Sequence, residues 1–278
     1  MQTPLLSTLK KYKDNISFHT PAHCGGIVGL SGNELLALDT TELSYSDNLL
    51  NPTDVIARSL HLINSIYGAS ATTYVTGGAT SAIHTAIRAL KNRTFLVVGE
   101  THKSIFNALR INRATAYYVD KSLDLQRDIT KYNIDVVIVT SPNYFGITLD
   151  LANIATTCHN CNAELLVDAS HGAHFAFCDK LPVSATKYAD WVIHSCHKTL
   201  AVPTGGALLH YPESQRTEVL FALNEVHSSS PSYMMLVAME HAIVALNNNG
   251  QAVYNDIITA ISAFENSLNS EFSVVNTD

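Results

Sequence analysis

Glu164-Leu165-Leu166-Val167-Asp168-Ala169-Ser170-His171 is a short apolar run that ends on an acid and then turns polar. A run of this kind, without polar alternation and too short for a helix, reads as a strand buried on both faces. The same form recurs to either side: residues 95–99, 116–119, 135–140 and 190–194 read as strands. The stretches between them at 104–112, 123–131 and 152–161 have helical length. Strands alternating with helices predict an α/β fold, a three-layer α/β/α sandwich around a mostly parallel sheet. Residues 205–210, Gly-Gly-Ala-Leu-Leu-His, add a further strand that a tight return after Lys198 would make antiparallel. Residues 52–66 read as a helix, with Pro52 near its first turn and Asp54 where negative charge is favoured. Two more helices are expected at 233–247 and 253–268, separated by the turn signal Asn247-Asn248-Asn249-Gly250. The expected organisation is an N-terminal segment and helix over 1–70, the α/β unit proper over 71–225, and C-terminal helices of the same domain over 226–278.

The balance of residue types narrows the partners. Of 278 residues 46% are hydrophobic and 15% are charged, against about 25% charged in a typical domain. Much apolar surface must therefore be buried in a core or against another subunit, which predicts an oligomer. Seventeen basic against twenty-four acidic residues leave a net charge of −7, opposite to what nucleic-acid phosphates demand. No apolar run approaches the ~18 residues of a membrane span, and Met1-Gln2-Thr3-Pro4-Leu5 lacks the basic and apolar regions of a signal peptide. The expectation is a cytoplasmic protein with no membrane partner. Five cysteines, Cys24, Cys158, Cys161, Cys178 and Cys196, are odd in number and widely spread, which suits reduced thiols.

Three strand ends carry groups that chemistry could use, and an open α/β sheet binds ligands beyond the carboxyl ends of its strands. After residues 190–194 comes Ser195-Cys196-His197-Lys198-Thr199, where an amine at a strand end can form a Schiff base with an aldehyde; pyridoxal phosphate is the commonest such aldehyde. A solvated surface lysine is the plainer alternative. Asp168 ends its strand as an acid that, once buried, needs donors or a cation. A pyridinium nitrogen would serve, as would a helix to cap. His102, just after residues 95–99, could stack on a flat cofactor or be a satisfied structural histidine. The loop Thr76-Gly77-Gly78-Ala79-Thr80-Ser81 opens a helix over 82–90, where glycines and a helix N-terminus form either a phosphate seat or an ordinary turn and cap. Cys158, Cys161, His171 and His174 invite a zinc reading, but the pairs flank a strand about 16 Å long at ~3.3 Å per residue, so no metal site is expected.

With Thr80, His102, Asp168 and Lys198 in this order, the chain resembles the fold-type-I pyridoxal-phosphate enzymes, and among them the prokaryotic ornithine/lysine/arginine decarboxylase family. The resemblance also covers Thr20-Pro21-Ala22-His23-Cys24-Gly25-Gly26, Asp39-Thr40-Thr41-Glu42-Leu43-Ser44, Asp47-Asn48-Leu49 and Ser229-Ser230-Pro231-Ser232-Tyr233. It implies pyridoxal 5'-phosphate as cofactor, Lys198 as the Schiff-base lysine, Asp168 as partner of the ring nitrogen and His102 stacked on the ring. His171 would lie near the ring or its 3-oxygen. Gly78, Ala79, Thr80, Ser195 and His197 would hold the phosphate, and Ser230 would reach the phosphate of a neighbouring subunit in a homodimer. The implied reaction is decarboxylation of a basic amino acid, arginine, lysine or ornithine, to an amine and carbon dioxide. The alternatives are a related pyridoxal-phosphate lyase or aldolase, and a cofactor-binding protein without turnover.

The sequence departs from the family pattern in three respects. Asp168-Ala169-Ser170-His171 stands where the pattern has Asp-Glu-Ala-His, so Ser170 occupies a position expected beneath the ring. Ala79 replaces a hydroxyl residue of the phosphate loop. Family members also continue into a C-terminal domain that helps close the site, and residues for one are not expected within 278.

Overall fold

The computed structural model describes residues 3–13, 15 and 36–268; the Thr20-to-Gly26 part of the resemblance lies outside the described residues. Helices α1 (Pro4–Tyr12) and α2 (Val55–Tyr67) precede strand β1 (Ala71–Val75) and helix α3 (Gly78–Ala89). Alternation then sets in: β2 (Thr94–Val98), α4 (Lys103–Ile111), β3 (Thr115–Val119), α5 (Leu125–Tyr132), β4 (Val136–Thr140), α6 (Leu151–Asn160) and β5 (Glu164–Asp168). The chain finishes with β6 (Trp191–Ser195), the one-turn helix α7 (Cys196–Thr199), β7 (Ala207–Tyr211), α8 (Arg216–Val226) and the long α9 (Tyr233–Ser267).

The seven strands lie in the order β1-β7-β6-β5-β4-β2-β3. Strands β3, β2, β4, β5 and β6 run parallel, while β7 is antiparallel to both β6 and β1. Alternate side chains of each central strand feed opposite cores. Phe95, Val97, Val136, Ile138, Leu166, Trp191 and Ile193 pack on the side of α2, α3, α4 and α9. Leu96, Val137, Val139, Leu165, Val167 and Val192 pack on the side of α5 and α6. Both faces being covered explains the continuous apolar runs in the sequence. Because the five parallel strands share one direction, β2, β4, β5 and β6 all end at the same edge, where the polar residues that follow them gather.

Two expectations about the helices change. The helix expected from Pro52 starts at Val55, and the Asp54 side chain does not cap it. Asp47 does: its carboxylate accepts from the N–H groups of Thr53, Asp54 and Ile56 at 3.1, 2.8 and 3.0 Å. Burial alone would raise the Asp47 carboxyl, but the backbone donors of Asp54, Thr53, Asn48 and Ala57 together hold it below the usual carboxylate range. The two expected C-terminal helices are a single one, because Asn247-Asn248-Asn249-Gly250 is not a turn. The three asparagines face solvent and Gly250 is buried. A Cβ at Gly250 would lie 2.7 Å from the Phe177 Cβ and 2.9 Å from its carbonyl oxygen. The glycine is needed for close approach of α9 to that segment, not for a bend.

Glu240, fully buried on α9, ties the N-terminal helix to the core. Its carboxylate accepts from Leu5 N–H and Leu6 N–H at 3.0 Å each and from Ser59 Oγ at 2.5 Å. Ser59 Oγ is in turn 2.7 Å from Tyr74 Oη. The first turn of α1 offers donors without partners within the helix, so an acid there is favoured. Glu240→Ala is expected to cost about 3 kcal/mol, since it strands several buried donors. Urea unfolding measures this, and a loss below about 1 kcal/mol would mean that α1 is held by its apolar residues alone. Among the described residues no helix is long and apolar enough to cross a membrane.

Candidate active site

A cavity of about 1040 Å³ opens at the carboxyl edge of the sheet, lined by Lys198, Asp168, His102, His171, Gly78, Ala79, Thr80, Ser195 and His197. Of the site residues expected from sequence, Ser230 alone stands off it, exposed in the loop between α8 and α9, its N–H on Ser228 Oγ at 3.2 Å.

The fold delivers each group differently. Asp168 closes β5, in register with Thr140 of β4 and Ile193 of β6, and is 3% exposed. Its Oδ1 accepts from Ser170 Oγ at 2.5 Å and from Ser170 N–H at 3.2 Å. Lys198 sits on α7, immediately after β6, with Nζ 3.0 Å from His171 Nε2. The turn of α7 is held by Cys196 N–H on Gly206 O at 2.9 Å, and by His197 Nδ1 accepting from Gly205 N–H at 3.3 Å.

Gly78, also lining the cavity, begins α3 with φ of 76° and donates to Gly205 O at 2.7 Å. Helix α3 therefore starts earlier than the expected residue 82. No side chain caps it, so its first N–H groups face the cavity beside Ala79 and Thr80. A helix N-terminus of this kind suits a phosphate. His102 lines the cavity, and its Nδ1 accepts from Ser104 N–H at 3.3 Å as the cap of α4.

Several lining residues escaped the sequence reading, four of them around the end of β4. Thr140 ends β4, and Asn143, Tyr144 and Phe145 follow it. Asn143 Oδ1 accepts from Phe145 N–H and Ile147 N–H at 3.0 Å each, and its Nδ2 donates to Glu100 Oε2 at 3.2 Å. Tyr144 and Phe145, which also line the cavity, stand 84% and 63% exposed. Their signal was available: a polar turn after an apolar run, as at the other strand ends.

Among the described residues no group of three or more His, Cys, Asp or Glu side chains is placed to hold a metal ion. Burial foremost pushes the Cys158 thiol up to about 12, and burial also lowers the His174 imidazole. Cys158, Cys161, Cys178 and Cys196 are all free.

The donor set fits a pyridoxal phosphate. Asp168 offers a buried carboxylate for a protonated ring nitrogen, Lys198 an amine for an aldehyde, and α3 an uncapped N-terminus for a phosphate. The buried Thr101 Oγ1 and Thr140 Oγ1, both on lining residues, have no hydrogen-bond partner among the described residues, as expected where a polar ligand supplies one.

This sheet, with an amine, an acid and a glycine-opened helix converging at its carboxyl edge, is that of the fold-type-I pyridoxal-phosphate enzymes. The chain belongs to the Orn/Lys/Arg decarboxylase family: the description of its major domain matches residues 3–132 and 121–277. Uncharacterized protein YaaO of Bacillus subtilis is 32% identical over 269 residues, 87% of this chain and 56% of that protein. Arginine decarboxylase of the same organism is 26% identical, over 96% of this chain and 60% of the relative. The chain thus spans less than two thirds of the curated relatives it matches. The crystal structure of Francisella novicida lysine decarboxylase LdcF superimposes with a TM-score of 0.80 at 20% identity, covering 98% of this chain and 45% of that one. Family and fold together point to pyridoxal 5'-phosphate as the cofactor.

Proposed function

We propose that this chain binds pyridoxal 5'-phosphate in the cavity at the carboxyl edge of the sheet and decarboxylates a basic amino acid, arginine, lysine or ornithine. The observation that carries the reading is the convergence of Asp168, which ends β5, and Lys198, which follows the adjacent β6, on one cavity that the opening of α3 also lines.

When bound, the cofactor supplies a conjugated cation that accepts the electron pair released as the Cα–carboxylate bond breaks. Asp168 keeps that cation protonated: a buried carboxylate against a ring N–H⁺ forms a charge-assisted hydrogen bond of about 1.5–3 kcal/mol, which strengthens as charge moves into the ring. The N–H groups of Ala79 and Thr80, with Ser195 and His197, would hold the phosphate. His102 forms one wall against the ring face. Lys198 would hold the cofactor through its amine and would carry a proton at Nζ, with His171, 3.0 Å away, positioning that amine.

Ser230, exposed and off its own cavity, is assigned to the phosphate of a second copy, making the active form a homodimer. We assign cofactor binding to the unit over residues 71–225, with α1 and α2 before it and α9 after it packed on that unit, in a cytoplasmic protein.

The test is to load the protein with pyridoxal phosphate and supply arginine, lysine and ornithine in turn, measuring carbon dioxide and amine. Release from at least one is expected. Cofactor uptake without product from any of the three would replace decarboxylation with a different pyridoxal-phosphate reaction or with cofactor binding alone.

A further inference from the structure

We propose that Ser170 is a positioning residue, which holds one oxygen of the Asp168 carboxylate so that the other meets the cofactor ring nitrogen. The inference rests on the role given to Asp168 above and adds a residue to it.

Ser170 departs from the alanine of the family pattern, and the departure predicted a hydroxyl beneath the ring. The hydroxyl points elsewhere. It donates to Asp168 Oδ1 at 2.5 Å, and the Ser170 N–H reaches the same oxygen at 3.2 Å. These are the two hydrogen bonds that the Asp168 side chain takes among the described residues, and both fall on Oδ1. Thr140, its neighbour in register on β4, does not share the task, since Thr140 Oγ1 has no partner. The Asp168 backbone is fixed separately, its carbonyl accepting from Ser141 N–H at 3.1 Å.

Burial gives the arrangement its force. Asp168 is 3% and Ser170 6% exposed, so water is a poor substitute for either donor. A carboxylate with one oxygen doubly held cannot rotate about its terminal bond without breaking a short charge-assisted bond. Oδ2 is thereby kept for a cationic N–H. Without the hydroxyl the backbone N–H alone would hold Oδ1, and the carboxylate would settle in more than one orientation.

The experiment uses the full chain as Ser170→Ala, Ser170→Thr and Asp168→Asn, each titrated with pyridoxal phosphate. The readouts are the dissociation constant, the visible circular dichroism per bound cofactor, and the melting temperature of the cofactor-free protein. Ser170→Ala removes one oxygen and leaves a smaller side chain, so it is expected to fold. It should bind the cofactor about tenfold more weakly, the fold-change of one hydrogen bond to a charged group, with a smaller dichroic band. Ser170→Thr, which keeps the hydroxyl, should restore the band. If Ser170→Ala keeps affinity within about twofold and an unchanged band while only its melting temperature falls, Ser170 merely shapes the loop and the proposal is wrong. If Asp168→Asn also binds and displays the cofactor unchanged, the role of Asp168 fails too. Loss in Asp168→Asn with none in Ser170→Ala overturns the Ser170 role alone.

Discussion

Lys198→Ala is expected to lower turnover about 10³-fold, within the range for removing a positioned proton carrier, and to abolish covalent capture of the cofactor. Lys198 is the one lysine among the described residues that line the cavity. No second amine there can take over the aldehyde. Its Nζ is also placed, 3.0 Å from His171 Nε2 and on the single turn that follows β6, so the proton it carries arrives from a fixed direction. Alanine leaves the packing of that turn intact because Cys196, not Lys198, is its buried residue. The loss would therefore be chemical and would leave the folded structure unchanged. The measurement pairs turnover on the preferred substrate with borohydride reduction and peptide mass analysis. Trapped cofactor mass should appear on the peptide containing residue 198 in the natural chain and on no peptide in the variant. Trapping at another residue, or turnover above a tenth of the natural rate, would remove Lys198 from the site.

Much of this site was legible in the sequence because the parallel part of the sheet writes itself plainly. A strand buried on both faces leaves no room for polar alternation, so β2, β4, β5 and β6 appear as apolar runs, and their final polar residues mark the cavity. β1 was invisible for the opposite reason. Ala71-Thr72-Thr73-Tyr74-Val75 is buried throughout, yet two of its residues are threonines whose burial depends on partners far away. Thr72 Oγ1 lies 2.8 Å from His210 Nδ1, 138 positions later, and Tyr74 Oη reaches Ser59. A lone sequence does not display such pairings. Helix α8 was missed likewise: Val219, Ala222 and Leu223 are its buried residues, too few for a clear stripe. The Gly250 error follows from glycine's two uses, since a residue that permits a turn also permits close approach, and only the position of Phe177 decides between them. At the site itself, order and residue type singled out Asp168, Lys198 and the glycine loop, and the structure brings Asp168, Lys198 and residues 77–80 to one cavity. They did not reveal that Ser170 faces the acid, because serine reads the same whichever way its hydroxyl turns.

Acidification from pH 7 to pH 5 is expected to remove about 4 kcal/mol of folding stability, about 2 from each of two histidines buried together in the sheet. His194 on β6 and His210 on β7 face each other with His210 Nε2 3.0 Å from His194 Nδ1, and are 0% and 2% exposed. Tyr67 closes over both rings at centroid distances of 5.1 and 5.0 Å. Among the described residues no carboxylate is hydrogen-bonded to either ring, and His194 Nε2 has no partner. Burial, helped by the nearby His174, lowers His194 to about 3; burial, helped by His194, carries His210 well below the usual histidine value. The sign follows from the proton count. Above the unfolded value near 6.5 both states are neutral, and the full stability is present. Below it the unfolded chain binds protons that the folded chain refuses, so stability falls by about 1.4 kcal/mol per pH unit per histidine until the folded groups themselves titrate. Two such groups would remove a large part of the 5–15 kcal/mol that commonly holds a domain together. Urea unfolding at pH 7 and pH 5, compared between the natural chain and His194→Gln/His210→Gln, isolates their share, because other titrating groups contribute equally to both proteins. The double variant should lose about 4 kcal/mol less over this interval. Equal losses in the two proteins would mean that the pair stays neutral for no energetic consequence, and that acid acts on the fold elsewhere.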